Sequence, residues 1–173
     1  MSVEESVVFR ADRYDVRRVS YLTGDGQQHQ RDIIRHPGAV VLLPITDDGR
    51  VVMIRNFRVS VDRMLLEVPA GTMEPGEAPE VTAARELIEE TGYRAGKLEP
   101  LRTFYASPGF CDEAMHLFLA TGLVAGTPER EEYEVIENQL VPLEEVKRLI
   151  VDGTIQDGKT LVALMDYLYV RQA

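Results

Sequence analysis

The first half of the chain is a succession of short apolar runs separated by turn residues, and this pattern predicts β-strands. Most of the runs alternate apolar and polar residues, as expected for strands with one solvated face. The run AVVLLPI at 39–45 is almost continuously apolar, which favours a central strand buried on both faces. The predicted strands are 6–11, 15–23, 28–35, 39–45, 50–57, 64–68, 98–105, 115–121 and 135–141.

Three later segments predict helices. Apolar residues recur every three to four positions at 142–151 and 159–171, and another helical segment begins near Pro79 and stops at Gly92. Strands in the first half with helices dispersed after them are typical of an α+β fold rather than a doubly wound sheet. We expect residues 1–36 to form a small antiparallel β meander and residues 37–173 to form the main domain. The amphipathic strands of the meander bury little surface alone, so they need the main domain or a second subunit.

The helical segment that ends at Gly92 carries its carboxylates on one side. Because each helical residue advances by about 100°, Glu86, Glu89 and Glu90 fall within about a quarter-turn of one another, with Thr82 among them. The residues expected on the opposite, apolar side are Val81, Ala84, Leu87 and Ile88. The pattern therefore predicts one face for a core and one anionic face.

The anionic face has two interpretations. It could be a solvated surface, as most glutamate-rich helix faces are, or it could bind a hard cation such as Mg²⁺ or Mn²⁺. The glycines and prolines that precede the helix favour the second, because a rigid loop could direct the carbonyl of Ala70 or Gly71 at the same cation.

Charge and composition narrow the function classes. A formal net charge of −10 argues against a nucleic-acid backbone or an anionic membrane as a partner, and it requires bound cations if the substrate is anionic. Cys111 is the only cysteine, so no intrachain disulfide forms, and without a partner histidine we interpret it as a packing residue. The three histidines have no ligand spacing and are interpreted as structural; they are His29, His36 and His116. The acidic start, MSVEESVVFR, resembles neither a signal peptide nor a membrane span, so we expect a cytoplasmic protein.

The spacing within residues 71–93 resembles the signature of the Nudix hydrolases. Gly71 is followed after five residues by Glu77, and after seven more by RELIEETGY at 85–93. All fixed positions are present, and Tyr93 is a mild departure from the aliphatic residue that is more usual. The segments HPGAVVLLP, LLEVPAGTMEPGE, ASPGF, VPLEEV and DGKTLVAL extend the resemblance to the ADP-ribose pyrophosphatase branch over about residues 30–165.

The resemblance implies a fold and a metal site. The fold would be a mixed β-sheet between helices, preceded here by the meander. Carried over by position, Glu86 and Glu90 would be primary Mg²⁺ ligands, with Mn²⁺ as a possible substitute. Glu89 would bind an additional ion and the Ala70 carbonyl would be a backbone ligand. Arg85 would orient the glutamates, and Glu77 would brace the loop.

Substrate recognition is implied by residues outside the signature. Pro108 stands sixteen residues after Gly92, which resembles the proline marker of the ADP-ribose branch, although an ordinary turn is the alternative. Arg35, Arg58 and Glu67 match positions that contact or approach substrate in the branch. Arg55 is a weaker candidate, because on an alternating strand it could face solvent.

In the branch that the chain resembles, a general base comes from a loop between two late strands, and the matching segment here is the acidic loop at 127–134. Glu132 is the predicted base and Glu134 a supporting metal ligand, while Glu131 remains an alternative for the base.

The activity that the resemblance implies is Mg²⁺-dependent hydrolysis of the diphosphate of ADP-ribose to AMP and ribose 5-phosphate. The alternatives are another nucleotide-sugar substrate, such as GDP-mannose, and a non-catalytic nucleotide-sensing domain. The N-terminal strands in this branch often complete a partner's site, so we predict a homodimer, with Tyr14 or Tyr21 stacking on adenine.

Overall fold

The computed structural model of the protein describes residues 3–130 and 135–171. Within these ranges the strands are β1 (Val3–Arg10), β2 (Asp15–Leu22), β3 (Gln28–Arg35), β4 (Ala39–Pro44), β5 (Arg50–Arg58), β6 (Arg63–Glu67), β7 (Ala70–Thr72), β8 (Arg94–Tyr105), β9 (Ala114–Val124) and β10 (Ile136–Pro142). The α-helices are α1 (Pro79–Thr91), α2 (Leu143–Val151) and α3 (Gly158–Asp166), and a π-helical turn (Tyr167–Arg171) continues α3.

The strands form three sheets. The antiparallel meander has the order β1-β2-β3, a second sheet has the order β10-β5-β6, and a four-stranded sheet has the order β7-β4-β9-β8. Strands β4 and β9 pair in parallel, whereas β7 and β8 are antiparallel to their neighbours, so the four-stranded sheet is mixed.

Strand β4 is the centre of the core because both of its faces are buried. Val40 and Leu42 pack with Ala83 and Leu87 of helix α1 on one face. The alternate residues pack on the other face with side chains of the second sheet and of α2 and α3, among them Val41, Leu43, Val146 and Leu164. The period of two along a strand thus places helices on both sides of the sheet, as the continuous apolar run predicts.

The expected orientation of helix α1 is wrong in part. Val81 and Ala84, expected on the core side, are exposed, whereas Thr82 and Glu90 of the carboxylate side are buried. The reason is that the carboxylate side of α1 faces strand β7 and the loop before the helix, not open solvent. The helical periodicity predicted the anionic face of α1 but could not show that other parts of the protein bury it.

Several element boundaries also differ from expectation. Residues 70–72 form strand β7 instead of a loop, because their backbone pairs with β4 although their small side chains carry no strand signal. Strand β8 begins at Arg94, four residues earlier than predicted, since pairing with β9 continues beyond the apolar residues. The last helix is α-helical only to Asp166.

The meander is attached to the main domain through β3. The Ile34 N–H donates to the Phe110 carbonyl (2.8 Å), and the Asp112 N–H donates to the Ile34 carbonyl (3.1 Å). Arg35 adds an ion pair to Asp112 of the main domain and another to Glu5 within the meander. The described residues contain no helix that is both long enough and apolar enough to cross a membrane.

Candidate active site

The loop before α1 is braced by Glu77. Its Oε2 accepts hydrogen bonds from the Thr82 hydroxyl (2.7 Å) and the Glu74 N–H (3.3 Å), and Arg85 Nη2 lies 3.1 Å away. Arg85, followed by Thr82, holds the pKa of Glu77 at about 2, well below its usual range. Glu77 therefore stays ionised and ties the loop to the first two turns of α1.

Arg85 joins this brace to the acidic face of the helix. Its Nη1 donates to Glu86 Oε1 (2.7 Å) and to Glu89 Oε2 (2.8 Å). The hydrogen bond to Glu77, together with these carboxylates, raises the pKa of Arg85. The guanidinium thus binds two of the predicted ligand carboxylates, and its role in orienting them for a metal stays a prediction.

Gly71 allows the carboxylate of Glu86 to approach the β7 backbone. A Cβ atom at Gly71 would lie 1.9 Å from Glu86 Cδ, so any side chain there would displace this carboxylate. The absence of a side chain at Gly71 therefore leaves the space that the Glu86 carboxylate occupies.

Strand β7 presents Ala70 to the end of α1. The Leu42 N–H donates to the Pro69 carbonyl and the Met73 N–H donates to the Gly38 carbonyl. Since hydrogen-bonded pairs alternate along an antiparallel ladder, the pair of Val41 and Ala70 is a non-bonded one. The N–H and carbonyl of Ala70 therefore point away from β4, and the N–H donates to Glu90 Oε2 (2.8 Å). The Ala70 carbonyl lies on the same side as Glu90, as a backbone ligand would require.

The residues at this place fit a divalent cation in their chemistry. Three carboxylates and one carbonyl are the hard oxygen donors that Mg²⁺ and Mn²⁺ prefer. In the described residues no three such side chains converge at ligand distances, because Arg85 holds Glu86 and Glu89 while the Ala70 N–H holds Glu90. Metal binding therefore requires these carboxylates to turn from their present partners.

A second charged cluster lies at the end of β6. Glu67 is completely buried, and Arg58 binds it with two hydrogen bonds, from Nε (2.8 Å) and from Nη2 (2.6 Å). Lys159 Nζ also binds Glu67 and lies 3.0 Å from Asp157. The bond to Glu67 raises the pKa of Arg58, although burial opposes it. Burial alone would raise the pKa of Asp157, but Lys159 and Thr160 outweigh it and the pKa is lowered.

The segment DGKT at 157–160 docks α3 against this cluster. Asp157 caps the helix by accepting from the Thr160 N–H (2.9 Å), and the Thr160 hydroxyl accepts from the Val68 N–H (2.9 Å). Lys159 is the functional candidate that sequence reasoning missed. Its signal was present in the DGKT segment, but nothing local indicates that its partner is Glu67, ninety-two residues away.

Both clusters line one cavity of about 1130 Å³. This volume slightly exceeds the roughly 300–1,000 Å³ that is usual for small-molecule sites. The cavity brings together eight of the predicted site residues, namely Arg35, Arg58, Glu67, Ala70, Arg85, Glu86, Glu89 and Glu90. Pro108 is not among its lining residues, although Ala106 and Glu113 on either side of that turn are. Glu131, Glu132 and Glu134 lie outside the described residues.

The meander supplies one wall of the cavity through its first turn. Tyr14 lines the cavity, whereas Tyr21 packs against His29 with ring centroids 6.0 Å apart and is not among the lining residues. Arg13 in the same turn also lines the cavity. Among the described arginines and lysines that line the cavity, Arg13 alone forms no ion pair.

The remaining candidates have structural contacts. Arg55 faces solvent and donates to Gln139 of the neighbouring strand (3.1 Å). His116 contacts the Thr103 hydroxyl, and His36 accepts from the Gly38 N–H. Cys111 forms an isolated parallel bridge with Ile34. These contacts agree with the structural roles expected for them.

The family model of the NUDIX domain matches residues 34–163. This chain belongs to the Nudix family. The match spans strands β4–β10 and helices α1 and α2, so both charged clusters of the cavity lie within the Nudix domain.

The chain is similar in sequence to relatives that are named for different activities. It is 40% identical to ADP-ribose pyrophosphatase from Bacillus subtilis, with 99% of this chain and 96% of the relative covered. It is 42% identical to the methanol dehydrogenase activator of Bacillus methanolicus, with 86% and 81% covered. It is also 38% identical to GDP-mannose pyrophosphatase from Cronobacter sakazakii, with 97% and 91% covered.

A solved structure described as an ADP compounds hydrolase superposes with a TM-score of 0.82 at 26% identity. The alignment covers 99% of this chain and 91% of that chain. The α+β Nudix fold that the sequence predicted is therefore confirmed, including a mixed sheet between helices and the antiparallel meander.

Proposed function

We propose that this Nudix protein hydrolyses the diphosphate bond of ADP-ribose to AMP and ribose 5-phosphate and that Mg²⁺, or Mn²⁺ in its place, is required. The observation that carries this proposal is the placement of Glu86 against Gly71 and of Glu90 against the Ala70 N–H, with Glu89 beside them, at the wall of a cavity that Arg58 also lines. The near-full-length resemblance to the Bacillus subtilis enzyme supports ADP-ribose as the substrate.

The carboxylates of α1 and the Ala70 carbonyl would hold the metal. When bound, Mg²⁺ lowers the pKa of a water molecule and offsets negative charge on the diphosphate. Arg85 would hold Glu86 and Glu89 beside the site until they turn to the metal, and Glu77 holds Arg85 in place. Glu132 is proposed to take the proton from the attacking water as its oxygen bonds to one phosphorus, and Glu134 to support the metal. The bond from that phosphorus to the bridging oxygen breaks, and AMP and ribose 5-phosphate leave.

Arg35, Arg58 and Glu67 are proposed to bind the substrate, with Pro108 shaping the nearby turn. Arg58 is fixed by two hydrogen bonds to the buried Glu67, so its guanidinium is already oriented before substrate arrives. A pre-oriented arginine loses little side-chain entropy on binding phosphate.

GDP-mannose is the rival substrate, and the relative from Cronobacter sakazakii favours it. The metal-binding residues cannot distinguish the two, since they act on the diphosphate that both substrates share. The Bacillus methanolicus relative is named for its effect on another enzyme rather than for a reaction, so it does not decide between them.

The proposal is tested by a substrate panel with and without Mg²⁺, with products identified by chromatography. We expect ADP-ribose to give AMP and ribose 5-phosphate only when the metal is present. Hydrolysis of GDP-mannose far faster than ADP-ribose would refute the substrate assignment, and no Mg²⁺-dependent turnover of either would favour a nucleotide-sensing domain.

Two variants test the residue roles within that panel. Glu90→Gln should abolish nearly all turnover, since it removes a ligand charge. Full activity in Glu132→Gln would refute the assignment of the base. Arg148→Gln is a matched control, because it removes an exposed charge on α2 outside the cavity.

We also propose that the protein is a cytoplasmic homodimer in which the meander contributes to the partner's site. Exposed apolar side chains on β1, including Val7, Val8 and Phe9, favour a contact there. Light scattering on the purified protein tests this, and a monomeric mass at enzymatically active concentrations would refute it.

A further inference from the structure

The last carbonyls of α1 accept hydrogen bonds from two segments outside the helix. An α-helix leaves its last carbonyls without partners inside the helix. Here the Glu89 carbonyl accepts from the Glu129 N–H (3.1 Å), and the Glu90 carbonyl accepts from Arg130 Nε (2.9 Å). The Thr91 carbonyl accepts from Asn138 Nδ2 (2.8 Å). Each of the last three carbonyls therefore has one donor, and none of these donors comes from α1.

Arg130 and Asn138 also bind each other, because Arg130 Nη2 donates to Asn138 Oδ1. Asn138 belongs to β10 and pairs with Ile54 of β5, so the sheet fixes its position. The two side chains thus form a clamp between the second sheet and the end of α1. Lysine could not replace Arg130 fully, since only a guanidinium donates in two fixed directions at once.

Charge and close packing reinforce the clamp. The last turn of α1 contains no basic residue, so Arg130 supplies the positive charge that stabilises the negative end of the helix dipole. Gly92 has φ = +79°, and a Cβ atom there would lie 2.7 Å from the Gly126 carbonyl oxygen. The loop at 126–130 therefore runs directly over the end of the helix.

We propose that Arg130 and Asn138 are positioning residues that set the ligand geometry of Glu89 and Glu90 by clamping the last turn of α1 through the carbonyls of Glu90 and Thr91. The inference rests on the proposed metal-binding function of α1. The clamped carbonyls belong to Glu90 and to its neighbour Thr91, and a fixed last turn fixes the backbone from which the Glu89 and Glu90 side chains extend. If the last turn frayed, both carboxylates would move with it.

The test is a titration of the substrate-free protein with Mn²⁺, followed by the electron paramagnetic resonance signal of the free ion. Removal of a hydrogen bond from a charged donor should weaken binding by about tenfold in Arg130→Ala. Asn138→Ala should weaken it by a smaller factor. The factor by which the double variant weakens Mn²⁺ binding should be smaller than the product of the factors of the two single variants, because each residue orients the other. Arg130→Lys should recover part of the affinity by restoring the charge.

A second readout is hydrogen exchange of the backbone amides at 89–92, measured without metal. Protection should fall about tenfold in Arg130→Ala, since the last turn then frays. The control is Arg148→Ala, which also removes an arginine with two hydrogen-bond partners but lies on α2. It should change neither Mn²⁺ affinity nor the protection of α1.

The outcomes separate the clamp from the metal assignment. Wild-type Mn²⁺ affinity in Arg130→Ala, with only a lower melting temperature, would overturn the clamp as a positioning device. Failure of the wild-type protein itself to bind Mn²⁺ would overturn the metal assignment, and the clamp with it. If Arg130→Ala does not fold, Arg130→Lys and Asn138→Ala carry the same test.

Discussion

Replacement of the buried Glu67 by glutamine should destabilise the protein strongly although the side chain keeps its size. Glu67 is fully buried and accepts two hydrogen bonds from Arg58 and one from Lys159. Glutamine removes the negative charge and turns an amide NH₂ towards one of these donors. Two cations then face each other without the carboxylate that separates them.

The size of the effect follows from what each cation can still bind. Loss of one partner of a buried ion pair costs about 3–5 kcal/mol. Lys159, only 9% exposed, keeps its ion pair with Asp157, and Arg58, 38% exposed, can be hydrated. These two remaining interactions reduce the penalty. We therefore expect the free energy of unfolding to fall by about 3 kcal/mol, the lower end of that range. For a chain of this size the melting temperature should fall by roughly 6–12 °C.

Urea denaturation followed by far-ultraviolet circular dichroism measures the change in the free energy of unfolding. The matched control is Asp32→Asn, because Arg18 binds Asp32 with the same two-bond geometry (2.8 and 2.9 Å) but about half of each side chain is exposed. The control should change stability far less, since water competes for exposed ion pairs. Equal shifts in the two variants would refute the argument that burial determines the cost.

Further predictions concern the signature loop and helix. Gly71→Ala should lower Mn²⁺ affinity at least tenfold in a titration yet leave the melting temperature nearly unchanged, because the nearest atoms to its Cβ belong to the end of the flexible Glu86 side chain. Gly92→Ala should instead lower the melting temperature by several degrees, since it adds a Cβ at positive φ against the Gly126 backbone; Gly109→Ala, which meets nothing, is the control for both. The stability that Glu77 contributes should be complete above its ordinary pKa of 4.5 and be lost as the pH falls towards 2, so the denaturation midpoints of wild type and Glu77→Gln should converge over that interval.

Most of the fold was predictable because its central signals are local. The apolar run at 39–45 predicted a strand buried on both faces, and β4 has that environment. Strand β7 was missed because Ala70, Gly71 and Thr72 carry no apolar pattern, and only their partner strand makes them a strand. The reversed exposure of Val81 and Thr82 has the same origin, since helical periodicity gives two faces without showing which the protein covers.

The candidate site also has one part that local sequence could predict and one part that it could not. The part proposed to bind metal is contiguous in sequence, so the resemblance from Gly71 to Tyr93 was sufficient to name Arg85 and the glutamates. The ion cluster around Glu67 joins residues on β5, β6 and α3, and the Arg130–Asn138 clamp joins a loop and a strand to α1. Such contacts are set by tertiary packing, so no local pattern could have predicted the role of Lys159 or Arg130.

The balance of charge in the cavity explains why a diphosphate substrate would need metal ions here. Among the described residues, ten carboxylates and six cations line the cavity, and five of these cations already bind carboxylates. The cavity therefore shares the negative sign of the whole chain, whose net charge is −10. An anionic substrate would be repelled unless added positive charge stood between it and the glutamates of α1. Two divalent cations would offset the excess of carboxylates, so the same acidic face that excludes a free diphosphate would bind one that arrives with its metals.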